Sequence, residues 1–198
     1  MAKFNSITFN CNGLNNKNKR KKVFTYLKEK LDGGFCFLQE THSTEADEDV
    51  WKKQWGDDIH FSHGTSNSTG CAVAFSNKFP YSIIKESKDT QGRFLILEIN
   101  VNDDKLLLIN LYNANTENDQ IKTLNSLASK LNDHNLDGDC KCVFGGDFNL
   151  YFDTVLDCSG GNPSLKKRSI SVQTKILDKL DVSQKLPSNN PFSNTKAG

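Results

Sequence analysis

Two carboxylates, two amides and a phenol each stand where an apolar run stops. Asn10 follows Ile7-Thr8-Phe9, and Glu40 follows Phe35-Cys36-Phe37-Leu38-Gln39. Tyr112 closes Leu106-Leu107-Leu108-Ile109-Asn110-Leu111, and Asp147 and Asn149 come just after Val143-Phe144-Gly145-Gly146. Carboxylate oxygens suit a hard cation, Mg²⁺ or Mn²⁺ in its place, and the cation would neutralise charge on a phosphate. Amide and phenol donors can hold phosphate oxygens without adding charge. Gly145-Gly146 would let the backbone turn tightly before Asp147. Singly, each residue has a plainer explanation: Asn10 and Tyr112 as turn or rim residues, Asp147 as a turn acid, Glu40 as a helix-start acid ahead of Thr44. The conjunction is what points to a phosphate-handling site.

The elements that must position these residues follow from periodicity. Ile7 to Phe9 reads as a strand, followed by a helix from about Lys19 to Leu31 with Val23, Phe24, Leu27 and Leu31 on one face. Gly33-Gly34 ends it, and Phe35 to Leu38 is a continuous apolar run that predicts a buried strand. Thr44 with Asp47 three residues on predicts a capped short helix closed by Gly56. Ile59–His63, Gly70–Phe75, Tyr81–Lys85, Arg93–Val101 and Lys105–Tyr112 read as an antiparallel meander, with Asp103-Asp104 as a tight connection. Thr116 opens a helix with Ile121, Leu124, Leu127, Ala128 and Leu131 on one face. Lys141 to Phe144 is another strand, residues 150–168 a long loop, and Val172, Ile176, Leu177 and Leu180 mark a last helix. The mixture predicts an α/β sandwich of packed sheets covered by helices, with the polar strand ends on one rim.

Composition narrows the class further. A chain of 198 residues with 36% hydrophobic and 25% charged content is sized for one globular core. No apolar run is long enough to span a membrane, and no basic-apolar-small leader opens the sequence, so an intracellular protein of nucleus or cytoplasm is expected. Six cysteines lack zinc-site spacing, and Cys11, Cys36, Cys71 and Cys142 lie in or beside apolar segments, as buried thiols do. The net charge of +1 announces no polyanion partner. Local runs do more: Lys17, Lys19, Arg20, Lys21 and Lys22 form one, and Lys166, Lys167 and Arg168 another, each of which alone reads as a solvated helix end.

In order, Asn10-Cys11-Asn12-Gly13-Leu14, Leu38-Gln39-Glu40-Thr41-His42, Asn110-Leu111-Tyr112 and Gly145-Gly146-Asp147-Phe148-Asn149 resemble successive motifs of the endonuclease/exonuclease/phosphatase superfamily. The wording of the first two is similar to its retrotransposon branch, the long-interspersed-element, apurinic-endonuclease-like enzymes. Phe61-Ser62-His63-Gly64-Thr65 before Gly70, Gln91-Gly92-Arg93-Phe94 and Leu156-Asp157 extend the resemblance over about residues 6–182. It implies a four-layer α/β sandwich carrying a Mg²⁺-dependent phosphodiesterase site at one rim, which nicks one DNA strand to leave a primer 3′-hydroxyl. By matching position it implies Glu40 as metal ligand and Asn10 as the amide beside it. Tyr112 would contact the scissile phosphate, Asp147 orient or deprotonate water, and Asn149 stabilise the transition state. Lys166, Lys167 and Arg168 are the expected nucleic-acid contacts.

The sequence also departs from that pattern. A further polar-bearing strand, an Asp in an Ile-Asp-like motif and a Ser-Asp-His signature are expected after Leu180-Asp181-Val182, and none is found; Asn190-Pro191 is the last echo. The expectation is therefore a C-terminally truncated domain over residues 1–182, missing its C-terminal strands and leaving an open sheet edge, with an irregular tail over 183–198. His42, His60, His63 and His134 match other places, and each reads as a surface histidine or one standing behind the site. Three functions stay open: a DNA-nicking endonuclease from a non-LTR retrotransposon, a catalytically impaired remnant that at most binds metal or nucleic acid, and a phosphodiesterase of small molecules or lipids.

Overall fold

The caps and glycines set where each element begins and stops. In the computed structural model, which describes residues 4–134, 140–150 and 167–180, Asn16 accepts hydrogen bonds from the main-chain N–H groups of Asn18 and Lys19. That cap starts helix α1 (Lys17–Lys30) two residues ahead of the expected Lys19. Thr44 and Asp47 bond each other as expected, the Thr44 N–H and hydroxyl both donating to Asp47 Oδ2 at 2.9 and 2.7 Å and the Asp47 N–H donating to the Thr44 carbonyl at 2.9 Å. They open a 3-10 turn (Glu45–Asp47) before helix α2 (Glu48–Trp55), which Gly56 ends at φ +81°. Thr116 caps α3 (Glu117–Leu131), and α4 (Lys167–Lys179) follows.

Eight strands form two four-stranded sheets among the described residues. The first runs β1 (Asn5–Asn10), β2 (Gly34–Gln39), β4 (Cys71–Phe75), β3 (Ile59–Ser62) across the sheet. The second runs β5 (Ser82–Lys88), β6 (Phe94–Val101), β7 (Asp104–Tyr112), β8 (Lys141–Asp147). The anticipated single meander is thus divided. β3 and β4 pair antiparallel in one sheet, and the chain crosses after Phe75 to build the β5-β6-β7 meander in the other. The tight β6–β7 connection turns on Asn102, at φ +55°, and the strand resumes at Asp104.

Three apolar layers hold the stack together. Phe24, Leu27, Trp51 and Trp55 from the helices pack on Cys36, Leu38, Ala72 and Ala74 of the first sheet. Phe37, Val73 and Phe75 meet Leu95, Leu97 and Leu108 between the sheets. Phe94, Ile96, Leu107 and Ile109 meet Leu124, Leu127, Leu131 and Ile176 beneath α3 and α4. Helices, sheet, sheet and helices make the four-layer α/β sandwich that the sequence led us to expect.

Several smaller features differ from expectation or fall elsewhere. Cys11, Cys36 and Cys71 are free and buried, and Cys142 is half-buried; burial pushes the thiols of Cys11, Cys36 and Cys142 up to about 12. His134 is neither at the surface nor near the strand-end rim: it is buried, bonded to Glu98 Oε2 at 3.1 Å and Ser87 Oγ at 2.9 Å. Among the described residues β1 and β8 are edge strands. Lys166, Leu156-Asp157, residues 151–166 of the loop expected over 150–168 and the tail over 183–198 lie outside the described residues, and α4 begins at Lys167, inside that expected loop. No described helix is long and apolar enough to cross a membrane.

Candidate active site

Two parallel strand pairs bring the polar strand ends together. β1 and β2 run parallel with Asn10 beside Gln39, and β7 and β8 run parallel with Tyr112 beside Asp147. Each pair therefore finishes at the same rim of its own sheet, and the stacked sheets bring the two rims into contact. The Asn10 side-chain amide donates to Glu40 Oε1 at 3.0 Å and to Asp147 Oδ2 at 2.9 Å, so one nitrogen separates the two carboxylates. Asn10 is itself fixed, its Oδ1 accepting from the Asn12 N–H at 3.0 Å. Asp147 Oδ1 accepts from the Asn149 N–H at 3.2 Å, and the Asn149 side chain donates to the Asn113 carbonyl at 2.9 Å.

Tyr112 joins the same cluster. Its phenol hydrogen-bonds to Glu40, and burial, that bond and the negative charge beside it push its pKa up to about 12. The hydroxyl therefore remains a proton donor throughout the neutral range. A cleft of about 430 Å³ opens beside these residues, lined by Thr8, Asn10, Gln39, Asp147 and Asn149. Asn10, Glu40, Tyr112, Asp147 and Asn149 form one hydrogen-bonded cluster beside it, while Lys167 and Arg168 stand on α4. Arg168 N–H donates to Glu117 Oε1 at 3.0 Å, which ties the start of α4 to the start of α3.

The backbone beneath the site is strained. Asn12, Glu40, His42 and Asn149 all have positive φ, between 45 and 55°. A non-glycine residue there costs about 1–3 kcal/mol and persists only where its surroundings fix it. They do so here on both sides. Gly13 and Leu14 N–H groups donate to the Glu40 and Thr41 carbonyls, while Thr41 and His42 N–H groups donate to Gly70 and Thr69. The fit is close: a Cβ on Gly70 would lie 2.3 Å from Thr41 Oγ1, and one on Gly92 would lie 2.7 Å from the Gly70 nitrogen. The scattered glycine motifs of the sequence are thus one stack of turns supporting Glu40.

Three contributors carried no role in the sequence reading. Gln39 and Asn110 form a buried amide clamp between the sheets, with Gln39 Nε2 donating to Asn110 Oδ1 at 2.7 Å. Asn110 Nδ2 returns bonds to the Leu38 and Ala72 carbonyls at 2.9 and 2.8 Å. Their signal was a polar residue inside each apolar strand, directly behind Glu40 and Tyr112. Arg93 places its guanidinium 5.0 Å from the centre of the Tyr112 ring, adding a cation to the rim. Its signal was a single arginine opening an apolar run.

No group of three or more His, Cys, Asp or Glu that could hold an ion occurs among the described residues, so there is no all-protein cage. A hard cation of the Mg²⁺ type does not need one, since it keeps several waters and takes one or two carboxylates plus phosphate oxygens. Glu40 and Asp147, one amide apart at an open rim, fit that requirement.

Comparison with known proteins agrees with this geometry. A model described as the Endonuclease/Exonuclease/phosphatase family matches residues 7–165. The Transposon TX1 uncharacterized 149 kDa protein of Xenopus laevis is 30% identical over 173 residues, covering 86% of this chain but only 12% of that protein. An AP endonuclease from Archaeoglobus fulgidus shares the fold with a TM-score of 0.61 at 21% identity, over 86% of this chain and 70% of the other. TDP2 of D. rerio, solved with a single strand DNA product, gives 0.52 at 22% identity over 75% and 61%.

Proposed function

The chain belongs to the endonuclease/exonuclease/phosphatase family, on its retrotransposon-endonuclease-like side, and from that premise we propose that it is a Mg²⁺-dependent phosphodiester hydrolase that nicks DNA. The observation that carries the proposal is the single Asn10 amide joining Glu40 to Asp147 beside the Tyr112 phenol. Glu40 would hold the ion, Mg²⁺ or Mn²⁺, which when bound neutralises charge growing on the phosphate oxygens. Asn10 holds both carboxylates together at the rim beside the cleft. Asp147, oriented by donors on each of its oxygens, takes the proton from the attacking water. Tyr112 and Asn149 offer donors to the phosphate as its charge rises. Lys166, Lys167 and Arg168 would contact the DNA backbone.

The alternative is a domain that binds metal and nucleic acid with little turnover. Conversion of supercoiled plasmid to nicked circles with Mg²⁺ tests both. The enzyme reading expects nicking that falls about 10²–10⁴-fold in Asp147→Ala and disappears in Glu40→Ala. Nicking equal in all three proteins would overturn it, and Mg²⁺ binding without any nicking would select the second reading.

A further inference from the structure

We infer that His63 is a positioning residue for Glu40, acting through a buried chain of hydroxyls at Ser43 and Thr41. The inference rests on the reading of Glu40 as the metal-holding carboxylate. His63 directly follows β3 of the first sheet and stacks on Phe61 with ring centres 5.2 Å apart. Its Nε2 lies 2.9 Å from Glu48 Oε1 at the start of α2, and its Nδ1 lies 3.0 Å from Ser43 Oγ. Ser43 Oγ is in turn 3.0 Å from Thr41 Oγ1, which accepts from the Ser43 N–H at 3.4 Å. Thr41 follows Glu40 directly, and both Thr41 and Ser43 are completely buried.

The proton positions follow from counting donors. Partial burial pushes the Glu48 carboxyl upward, but hydrogen bonds from Lys52 and His63 hold it below the usual range, so it is an acceptor. His63 therefore carries its proton on Nε2, and Nδ1 accepts from the Ser43 hydroxyl. Ser43 oxygen then accepts from the Thr41 hydroxyl, and every group in the chain is paired. Were Nδ1 the donor, the chain would reverse and leave the Thr41 proton without an acceptor in a buried place. This directional chain runs from α2 to the turn in which Glu40 and His42 hold left-handed backbone at φ +51° and +55°.

The order Ser43–His63–Glu48 is that of a hydrolytic triad, but Ser43 has no exposed surface for a substrate to reach. Support of a ligand-bearing turn is the role the geometry leaves. Partners that orient a metal ligand from behind contribute about 10–100-fold to affinity or activity.

The arrangement predicts which replacement succeeds. His63→Asn sets a carbonyl oxygen near the place of Nδ1 and can still accept from Ser43. His63→Gln sets an amide N–H near the place of Nε2 and keeps only Glu48. His63→Phe keeps the stacking on Phe61 and neither bond. Mn²⁺ binding to the full 198-residue chain, followed by titration of free ion, is the readout, with circular dichroism checking that each variant folds. We expect affinity about tenfold weaker in His63→Phe and His63→Gln, and His63→Asn close to the parent protein. Equal affinities for Asn and Gln variants, or parent-like binding by all three, would overturn the relay while leaving Glu40 as ligand. Glu40→Gln is the control on the premise: unchanged Mn²⁺ binding there would bring down the metal assignment and the relay with it.

Discussion

Glu40 and Tyr112 hang from the innermost strands of their sheets, whereas Asn10 and Asp147 hang from the edges. Every residue of β2 is buried, as are Leu106 to Leu111 in β7. β1 alternates between exposed and half-buried residues, and β8 is half-buried or exposed throughout. The difference separates two demands on a rim site. The central strands hold one carboxylate and the phenol rigidly, through core packing and the Gln39–Asn110 clamp. The edge strands keep the other carboxylate and the bridging amide open to water and substrate.

The largest test of that contrast is a pair of core truncations. Phe37→Ala empties a buried site between the sheets and should cost about 3–5 kcal/mol. Phe144→Ala, on the half-buried edge strand, should cost less than about 2 kcal/mol, because less apolar area leaves water there. Urea unfolding of both variants measures the difference. Equal losses would mean that the edge is as tightly packed as the centre.

The clamp is the next target. Asn110→Leu strands the Gln39 amide in the core, and a buried unpaired group costs about 1–3 kcal/mol. Adding Gln39→Leu removes the orphan, so the double variant should be more stable than Asn110→Leu alone. If the double variant loses the sum of both single changes, the amides are not acting as a pair.

How much of this was legible in the sequence depends on whether a feature is local. Apolar runs, caps and glycine stops are written in adjacent residues, so strand ends and helix faces were readable, and with them the rim position of Asn10, Glu40, Tyr112 and Asp147. Pairing partners are not local. The run Ser82–Lys88 reads the same whether it pairs with β4 or β6, so the division of the meander between two sheets was hidden. Gln39 with Asn110, Ser43 with His63 and Glu98 with His134 are likewise buried or part-buried polar pairs, legible only once the partner is in place. The run at Lys17–Lys22 makes the same point. Lys19 bonds the Asn12 carbonyl at 2.6 Å and Arg20 is buried over Trp51, while Lys17, Lys21 and Lys22 face solvent.

Alkaline titration probes the phenol on its central strand. The pKa of Tyr112 is raised to about 12 in the folded protein, above the value near 10 of a free tyrosine. A raised pKa means that the folded state holds its proton more tightly. The resulting stabilisation is complete below about pH 10 and is lost as pH rises through about 12. Tyr112→Phe should therefore flatten part of the stability decline across that window, and ultraviolet titration should lose one late-ionising tyrosine. One tyrosine fewer ionising at about pH 10 in the variant would show instead that Tyr112 ionises with the ordinary ones.

The smallest expected effect concerns the edge on the β8 side. Glu117 binds the Arg168 N–H and, through its carbonyl at 3.3 Å, the Ser169 hydroxyl, so α4 begins beside the start of α3. Gln120 of α3 donates to the Asn149 carbonyl at 2.8 Å, which connects that corner to the rim. If Lys166, Lys167 and Arg168 lie along the DNA backbone, replacing all three with alanine removes their counterion release. The slope of log affinity against log salt should become shallower by up to about 2.7, or roughly 0.9 for each phosphate contact on duplex DNA. Replacing Lys21 and Lys22, exposed on α1 at the other face of the sandwich, gives the comparison. A shallower slope from the α1 change and none from the α4 change would place the DNA on the β1 side of the site. The two edges would then exchange roles, with Asn10 rather than Asp147 nearer the incoming strand.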